Sequence, residues 1–73
     1  MKKELTKEIF LKKSKLRREV WSKLDKMKTA TDVAKEIGKH RSSVSRVLLD
    51  MERIGLVKVV NPDDKSFRFY VRR

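Results

Sequence analysis

The chain has 73 residues, and 21 Lys and Arg against 10 Asp and Glu give it a net charge of +11 at pH 7. A chain of this length forms one domain at most and leaves little room for a deep substrate cleft beside its own core. No apolar run approaches the roughly 20 residues of a membrane span, the basic N-terminus lacks a signal-peptide stretch, and no cysteine is present. We therefore expect a soluble cytoplasmic protein.

Residues 1–13 form a basic N-terminal extension whose conformation the sequence leaves open. Leu5 and Ile9 continue the spacing of the helix that follows, so the extension could lengthen that helix. Equally, Ile9-Phe10-Leu11 would suit a short extended segment. The sequence does not decide between helix and strand here.

The first helix is predicted from Ser14 to about Met27. Ser14 suits the N-cap position because its hydroxyl accepts a hydrogen bond from an otherwise unpaired amide of the first turn. The apolar residues that follow recur at steps of one, three and four and mark one buried face: Leu16, Val20, Trp21, Leu24 and Met27.

Two further helices are predicted on either side of a tight turn. The second begins at Thr31, whose side chain can cap it, and it ends at Gly38. The third runs from about residue 41 to residue 54 and stops at Gly55. Its apolar positions give the strongest periodic signal in the chain: Val44, Val47, Leu48, Met51 and Ile54.

The periodicity changes after Gly55. Residues 56–60 are rich in β-branched side chains, residues 61–66 are turn-forming, and residues 67–71 mostly alternate apolar with polar. This pattern predicts a β-hairpin of two strands.

An order of three helices and a hairpin is typical of the winged helix-turn-helix. The segment 31–57, TDVAKEIGKHRSSVSRVLLDMERIGLV, closely resembles the MarR/ArsR-type winged-helix transcription regulators. The wider pattern is similar to a group of small archaeal regulators of this type, on these residues: Ser14-Lys15, Asn61-Pro62, Arg68 and Tyr70. The resemblance implies an α+β, mainly helical fold over residues 14–73, with a three-helix core followed by a two-stranded β-hairpin wing. The absence of Gln and Cys and the single Asn are also common in proteins from hot environments.

The resemblance assigns the third helix to the major groove of double-stranded DNA, and the excess positive charge independently favours a nucleic-acid partner. The predicted groove contacts are Arg41, Ser42, Ser43, Ser45 and Arg46, because short hydroxyl side chains let the helix lie deep and Arg46 can reach a guanine edge. The predicted contacts of the DNA backbone and the wing are Lys15, Arg17, Thr31, Lys39, His40, Lys65 and Arg68. At the wing tip, Asp63 and Asp64 would repel phosphate unless they point away or Lys65 balances them.

Two other functions fit parts of the sequence. The near-neutral central helices would suit a protein-interaction module of a transcription or replication assembly, and the basic N-terminus would suit nonspecific nucleic-acid binding. We expect no catalysis, cofactor or metal, because His40 is the single histidine and the serines lack a neighbouring base and a glycine-rich elbow. No small-molecule effector is indicated.

The oligomeric state is predicted from what flanks the winged helix. Such regulators often dimerise through flanking helices, and none follows the last predicted strand, so we expect a homodimer formed by the N-terminal segment and the first helix. Its apolar contacts would come from Leu5, Ile9, Phe10 and Leu11. A two-fold dimer would read a pseudo-palindrome with half-site centres about 10 base pairs apart.

Overall fold

The computed structural model describes residues 7–64 and 66–73. These residues form four helices and three short strands, in the order α1 (Lys7–Lys12), α2 (Lys15–Ser22), β1 (Lys28–Thr29), α3 (Ala30–Ile37), α4 (Arg41–Arg53), β2 (Val57–Val59) and β3 (Phe69–Arg72). The strands make an antiparallel sheet in the order β1-β3-β2. The mainly helical winged helix-turn-helix fold is confirmed.

The predicted first helix corresponds to α2, and residues 7–12 of the N-terminal extension form a separate helix, α1. The hydroxyl of Ser14 accepts a hydrogen bond from the amide of Arg17 at 3.3 Å, which confirms Ser14 as the N-cap of α2. However, α2 ends at Ser22, and the chain turns before β1. Leu24 is buried as predicted, but Met27 is 50% exposed, and its predicted place on the buried face is wrong because the helix ends before it.

The N-cap of α3 is Thr29, and the prediction of Thr31 is wrong. The Thr29 hydroxyl accepts from the amide of Asp32 at 3.1 Å, and the Asp32 carboxylate accepts from the amide of Thr29 at 3.3 Å. This reciprocal capping box satisfies two amides at once, so it fixes the start of the helix two residues before Thr31. At the other end, Gly38 adopts the left-handed φ of 67° that closes the helix.

We expect Thr29→Ala to lower the free energy of unfolding by about 1 kcal/mol, because the substitution removes the accepting oxygen of the cap. Urea denaturation followed by circular dichroism measures the loss. Thr31→Ala is the matched control and should change stability less. A larger loss for Thr31→Ala than for Thr29→Ala would contradict the assignment of the cap.

Strand β1 is the element that the sequence did not predict. Lys28 pairs with Tyr70 and Thr29 with Phe69, so β1 adds a third strand to the predicted hairpin. The hairpin strands are also shorter than expected, because regular pairing with β3 covers residues 57–59. A two-residue strand that begins with a lysine carries no alternating pattern and so leaves no signal in the sequence.

The core combines residues from every helix and from β2 and β3. Its buried apolar side chains are Phe10, Val20, Leu24, Val33, Ala34, Val44, Val47, Leu48, Met51, Val57 and Tyr70. Phe10 of α1 is 2% exposed, and Leu11 packs against the same core. The expectation that Phe10 forms an exposed dimer contact is therefore wrong, because this chain uses the ring in its own core. Leu5 lies outside the described residues.

Trp21 on α2 lies between two basic side chains from opposite ends of the chain. The Lys7 Nζ is 4.9 Å from the ring centroid, and the guanidinium carbon of Arg72 is 4.6 Å from it. Arg72 also donates from Nη2 to the Trp21 carbonyl at 2.6 Å. These cation–π contacts and the hydrogen bond join α1, α2 and β3 on one side of the molecule.

Lys28 of β1 holds two carboxylates at the edge of the core. Its Nζ lies 2.9 Å from Glu36 Oε1 and 3.2 Å from Asp25 Oδ1. The hydrogen bond that Lys28 donates to the Glu36 carboxylate raises the pKa of Lys28 above its ordinary value of 10.5. The hydrogen bond and charge of Lys28 lower the pKa of Asp25 below its ordinary value of 3.8.

These shifts make stability depend on pH at both extremes. The lowered pKa of Asp25 contributes stability above pH 3.8 that is lost as the pH falls through the folded pKa. The raised pKa of Lys28 contributes stability below pH 10.5 that is lost as the pH rises through the folded pKa. We expect Asp25→Asn to flatten the acid limb of the unfolding free energy, measured by urea denaturation across pH. An acid limb unchanged in Asp25→Asn would contradict this origin.

Candidate nucleic-acid interface

The five predicted groove residues share the accessible side of α4. Arg41, Ser42, Ser43 and Arg46 are exposed and Ser45 is half-buried, whereas the opposite side of the helix enters the core through Val44, Val47, Leu48 and Met51. The side chains before Arg46 are mostly short, so the first two turns of α4 present a low polar surface with an arginine at each end. This arrangement follows from the i, i+3, i+4 spacing of the apolar residues, which turns the intervening positions outward.

The turn before α4 sets the direction of that surface. The amide of Lys39 donates to the carbonyl of Ala34 at 3.0 Å, which completes the closure of α3 at Gly38. Lys39 and His40 are both exposed in this turn. His40 is the N-cap residue of α4 and makes no capping hydrogen bond through its side chain.

A shallow depression separates α4 from the wing and brings together residues that are distant in the sequence. Its walls come from the start of α3, from successive turns of α4 and from the wing: Thr29, Ala30, Thr31, Arg41, Ser45, Leu49, Ser66, Phe67, Arg68 and Tyr70. Four predicted site residues thus line one surface, namely Thr31, Arg41, Ser45 and Arg68. Lys15 and Arg17 are not among the residues that line it.

Beyond the paired residues of β2 and β3, the loop of the wing is held by hydrogen bonds from two side chains. Asn61 donates from Nδ2 to the carbonyl of Phe67 and accepts at Oδ1 from the amide of Phe69, both at 2.7 Å. Asp64 Oδ1 accepts from the amides of Ser66 and Phe67 at 2.9 and 3.0 Å. The carboxylate of Asp64 is therefore directed at the loop's own amides. Lys65 lies outside the described residues.

Arg68 and Tyr70 meet at the base of the wing. Burial raises the pKa of the Tyr70 phenol above its ordinary value of 10.0, and the charge of Arg68 offsets part of that rise. Within the described residues, the buried Nε of Arg68 has no hydrogen-bond partner.

The basic residues of α2 lie in different surroundings. Lys15 is exposed in the first turn. Arg17 donates from Nη1 to the carbonyl of Phe10 at 3.2 Å, and its guanidinium carbon lies 4.0 Å from the centroid of the Phe10 ring. Arg17 thus joins α1 to α2, and this use of its side chain was not visible in the sequence.

Two apolar side chains at this surface were not among the predicted site residues. Leu49 of α4 is 39% exposed and Phe67 of the wing is 61% exposed, and both line the depression. The helical spacing already placed Leu49 opposite the buried positions of α4. The exposure of Phe67 follows from the late start of β3, which the sequence did not indicate.

In the part of the chain that the structure describes, no helix is both long and apolar enough to cross a membrane. Among residues 7–64 and 66–73, no three His, Asp or Glu side chains form a group suited to holding a metal ion.

A helix pair joined by a tight turn, a polar face on its second helix and an adjoining wing define a winged helix-turn-helix DNA-binding domain. Residues 23–60, just over half of the chain, match the IclR helix-turn-helix domain, and the chain belongs to this family. The match includes α3, α4 and β2. The chain is thus a DNA-binding domain of the transcription-regulator type. No curated protein and no solved structure matches it significantly.

Proposed function

We propose that the chain regulates transcription by binding a specific double-stranded DNA sequence, with α4 in the major groove and the wing against the adjoining backbone. The observation that carries this proposal is the accessible side of α4, where Ser42, Ser43 and Ser45 lie between Arg41 and Arg46. A major groove about 12 Å wide admits a helix, and short hydroxyl side chains allow its backbone to approach the base edges. Arg46 is long enough to make a bidentate contact with a guanine edge.

The phosphate contacts in this proposal position the domain without reading sequence. They come from the predicted set of Lys15, Arg17, Thr31, Lys39, His40, Lys65 and Arg68. Thr31 and Arg68 have the best structural support, because both line the depression that opens beside Arg41. Arg17 has the least, because its guanidinium already contacts Phe10.

Selection of bound sites from a random duplex pool at moderate salt tests the proposal. We expect one enriched sequence that keeps its advantage over scrambled duplexes when the salt is raised. Uniform loss of affinity for all duplexes would instead favour nonspecific, electrostatic binding. Lack of DNA affinity at any salt would favour the alternative of a protein-interaction module in a transcription or replication assembly.

Lys15→Ala is expected to weaken binding to all duplexes alike and to reduce the slope of log affinity against log salt by about one, as for loss of a single phosphate contact. Fluorescence anisotropy with the selected and a scrambled duplex at several salt concentrations measures both slopes. Arg18→Ala is a suitable comparison, because the Arg18 guanidinium donates hydrogen bonds to the carbonyls of Leu11 and Lys12. A change in sequence preference for Lys15→Ala would contradict its placement on the backbone.

We further propose that residues 14–73 are the DNA-binding domain, that residues 1–13 are an extension, and that two copies associate through this extension and α2. Support comes from Ile9, which is 44% exposed on α1 and adjoins the core residue Phe10. Sedimentation of the full chain and of Ile9→Glu tests the dimer and leaves Phe10 in place. We expect a dimer for the full chain and a monomer for the variant. A full chain that stays monomeric at tens of micromolar would contradict the dimer.

The MarR/ArsR-type organisation and the archaeal, thermophilic origin are also proposals, supported by the resemblance of segment 31–57 and by the composition. We also propose a purely regulatory role without catalysis and a place on cytoplasmic, nucleoid-associated DNA; the match to a DNA-binding domain supports both.

A further inference from the structure

Leu49 lies on the accessible side of α4. At about 100° per residue, Leu49 shares its direction with Ser42, Arg46 and Arg53, and it lies opposite the core residue Met51. Its side chain is 39% exposed, whereas the apolar residues on the other side of α4 are buried. A leucine therefore interrupts the otherwise polar accessible side of α4.

The neighbours of Leu49 place it at the proposed DNA surface and away from the core. It lines the depression between α4 and the wing, together with Ser45 one turn earlier and Phe67 from the wing. Arg46 precedes it by three residues, a rise of about 4.5 Å along the helix axis. Because the two side chains lie this close together on the same side of α4, they would meet neighbouring base pairs in the groove.

The chemistry of the major groove offers one apolar element for such a side chain. Each base pair presents hydrogen-bond donors and acceptors there, and thymine alone adds a C5-methyl group. A leucine cannot satisfy a donor or an acceptor, and it would leave the groups of the other bases without partners. Contact with the thymine methyl removes apolar surface of both groups from water.

We propose that Leu49 is a specificity-determining residue that reads the methyl group of a thymine next to the base read by Arg46. This inference rests on the proposed function, since it requires α4 to occupy the major groove. In this proposal Leu49 selects thymine through its methyl group, whereas the serines and arginines of α4 contact the polar edges of bases.

Single replacements of thymine by deoxyuridine in the selected duplex test this proposal, because they remove the methyl group and leave every hydrogen-bonding group unchanged. Burial of one methyl corresponds to about fourfold in affinity. We therefore expect one position at which the wild-type chain loses about fourfold and Leu49→Ala loses nothing further. Leu49→Gln should shift the preference at that position toward adenine, which glutamine recognises through its N6 and N7.

Val60→Ala is the matched control, since Val60 is 49% exposed but lies at the base of the wing. It should retain the wild-type loss on deoxyuridine substitution. The role of Leu49 is overturned if the wild type and Leu49→Ala lose the same affinity on deoxyuridine substitution at every thymine. It is also overturned if the selected site has no thymine beside the Arg46 contact. Either result leaves the proposed function intact. A pool that yields no enriched sequence overturns the proposed function itself, and the inference with it.

Discussion

Phe10→Ala is expected to lower the free energy of unfolding by about 3–5 kcal/mol, the usual cost of removing a buried aromatic ring from a core. Phe10 is 2% exposed in the core, and the Arg17 guanidinium packs against its ring. The substitution therefore leaves a cavity and also removes a cation–π contact between α1 and α2. Because small domains are stable by only about 5–15 kcal/mol, the variant would lie close to its unfolding threshold.

Urea denaturation of the wild type and the variant, followed by circular dichroism, measures this loss. Ile9→Ala is the matched control on the same helix, and with a side chain that is 44% exposed it should cost less than about 1 kcal/mol. Equal losses for the two variants would show that α1 does not pack as described. A chain shortened past Phe10 should lose stability for the same reason as Phe10→Ala, so removal of the N-terminal extension is a poor test of dimerisation.

Arg46→Ala is expected to reduce the free energy of binding to the selected duplex by about 1–3 kcal/mol, because this is the contribution of one bidentate contact with a base. The same substitution should change affinity for scrambled duplexes much less, so the ratio between the two falls. Arg46→Lys keeps the charge but not the planar fork of donors, and it should recover little of the specific affinity.

Arg53→Ala controls for the loss of charge. Arg53 lies two turns further along the same side of α4, is 78% exposed and makes a weak contact with Asp50 at 3.9 Å. We expect its removal to leave the ratio between selected and scrambled duplexes unchanged. If Arg46→Ala keeps the wild-type ratio of affinities for the selected and scrambled duplexes, Arg46 is not a base contact.

The helix positions that could be predicted depend on residues close together in the sequence. The buried face of α4 follows from the spacing of Val44, Val47, Leu48 and Met51, and the start of α2 follows from the cap at Ser14. The start of α3 was misplaced because Thr29 and Thr31 are equally good caps by residue type. Asp32 decides between them, since three residues after Thr29 it returns a hydrogen bond to the Thr29 amide.

The features that could not be predicted depend on contacts between distant parts of the chain. Strand β1 exists because β3 provides partners for Lys28 and Thr29 some forty residues later. The burial of Phe10 depends on the groove that the rest of the fold offers to α1, which no local pattern encodes. Most of the candidate site could nevertheless be predicted, because most of its residues lie on α4. The buried positions of α4 determine which of the helix's other residues face outward. Which of these residues contact DNA stays a prediction.

Trp21 gives the molecule a built-in optical reporter. It is the single tryptophan of the chain, and its ring contacts Lys7 from the first helix and Arg72 from the last strand. The emission of this indole therefore depends on whether the two ends of the fold are docked onto α2. Trp21, Lys7 and Arg72 do not line the depression between α4 and the wing, so DNA bound there would not contact this indole directly. Fluorescence can thus follow assembly of the fold separately from occupation of the DNA surface, in the same sample and without any label.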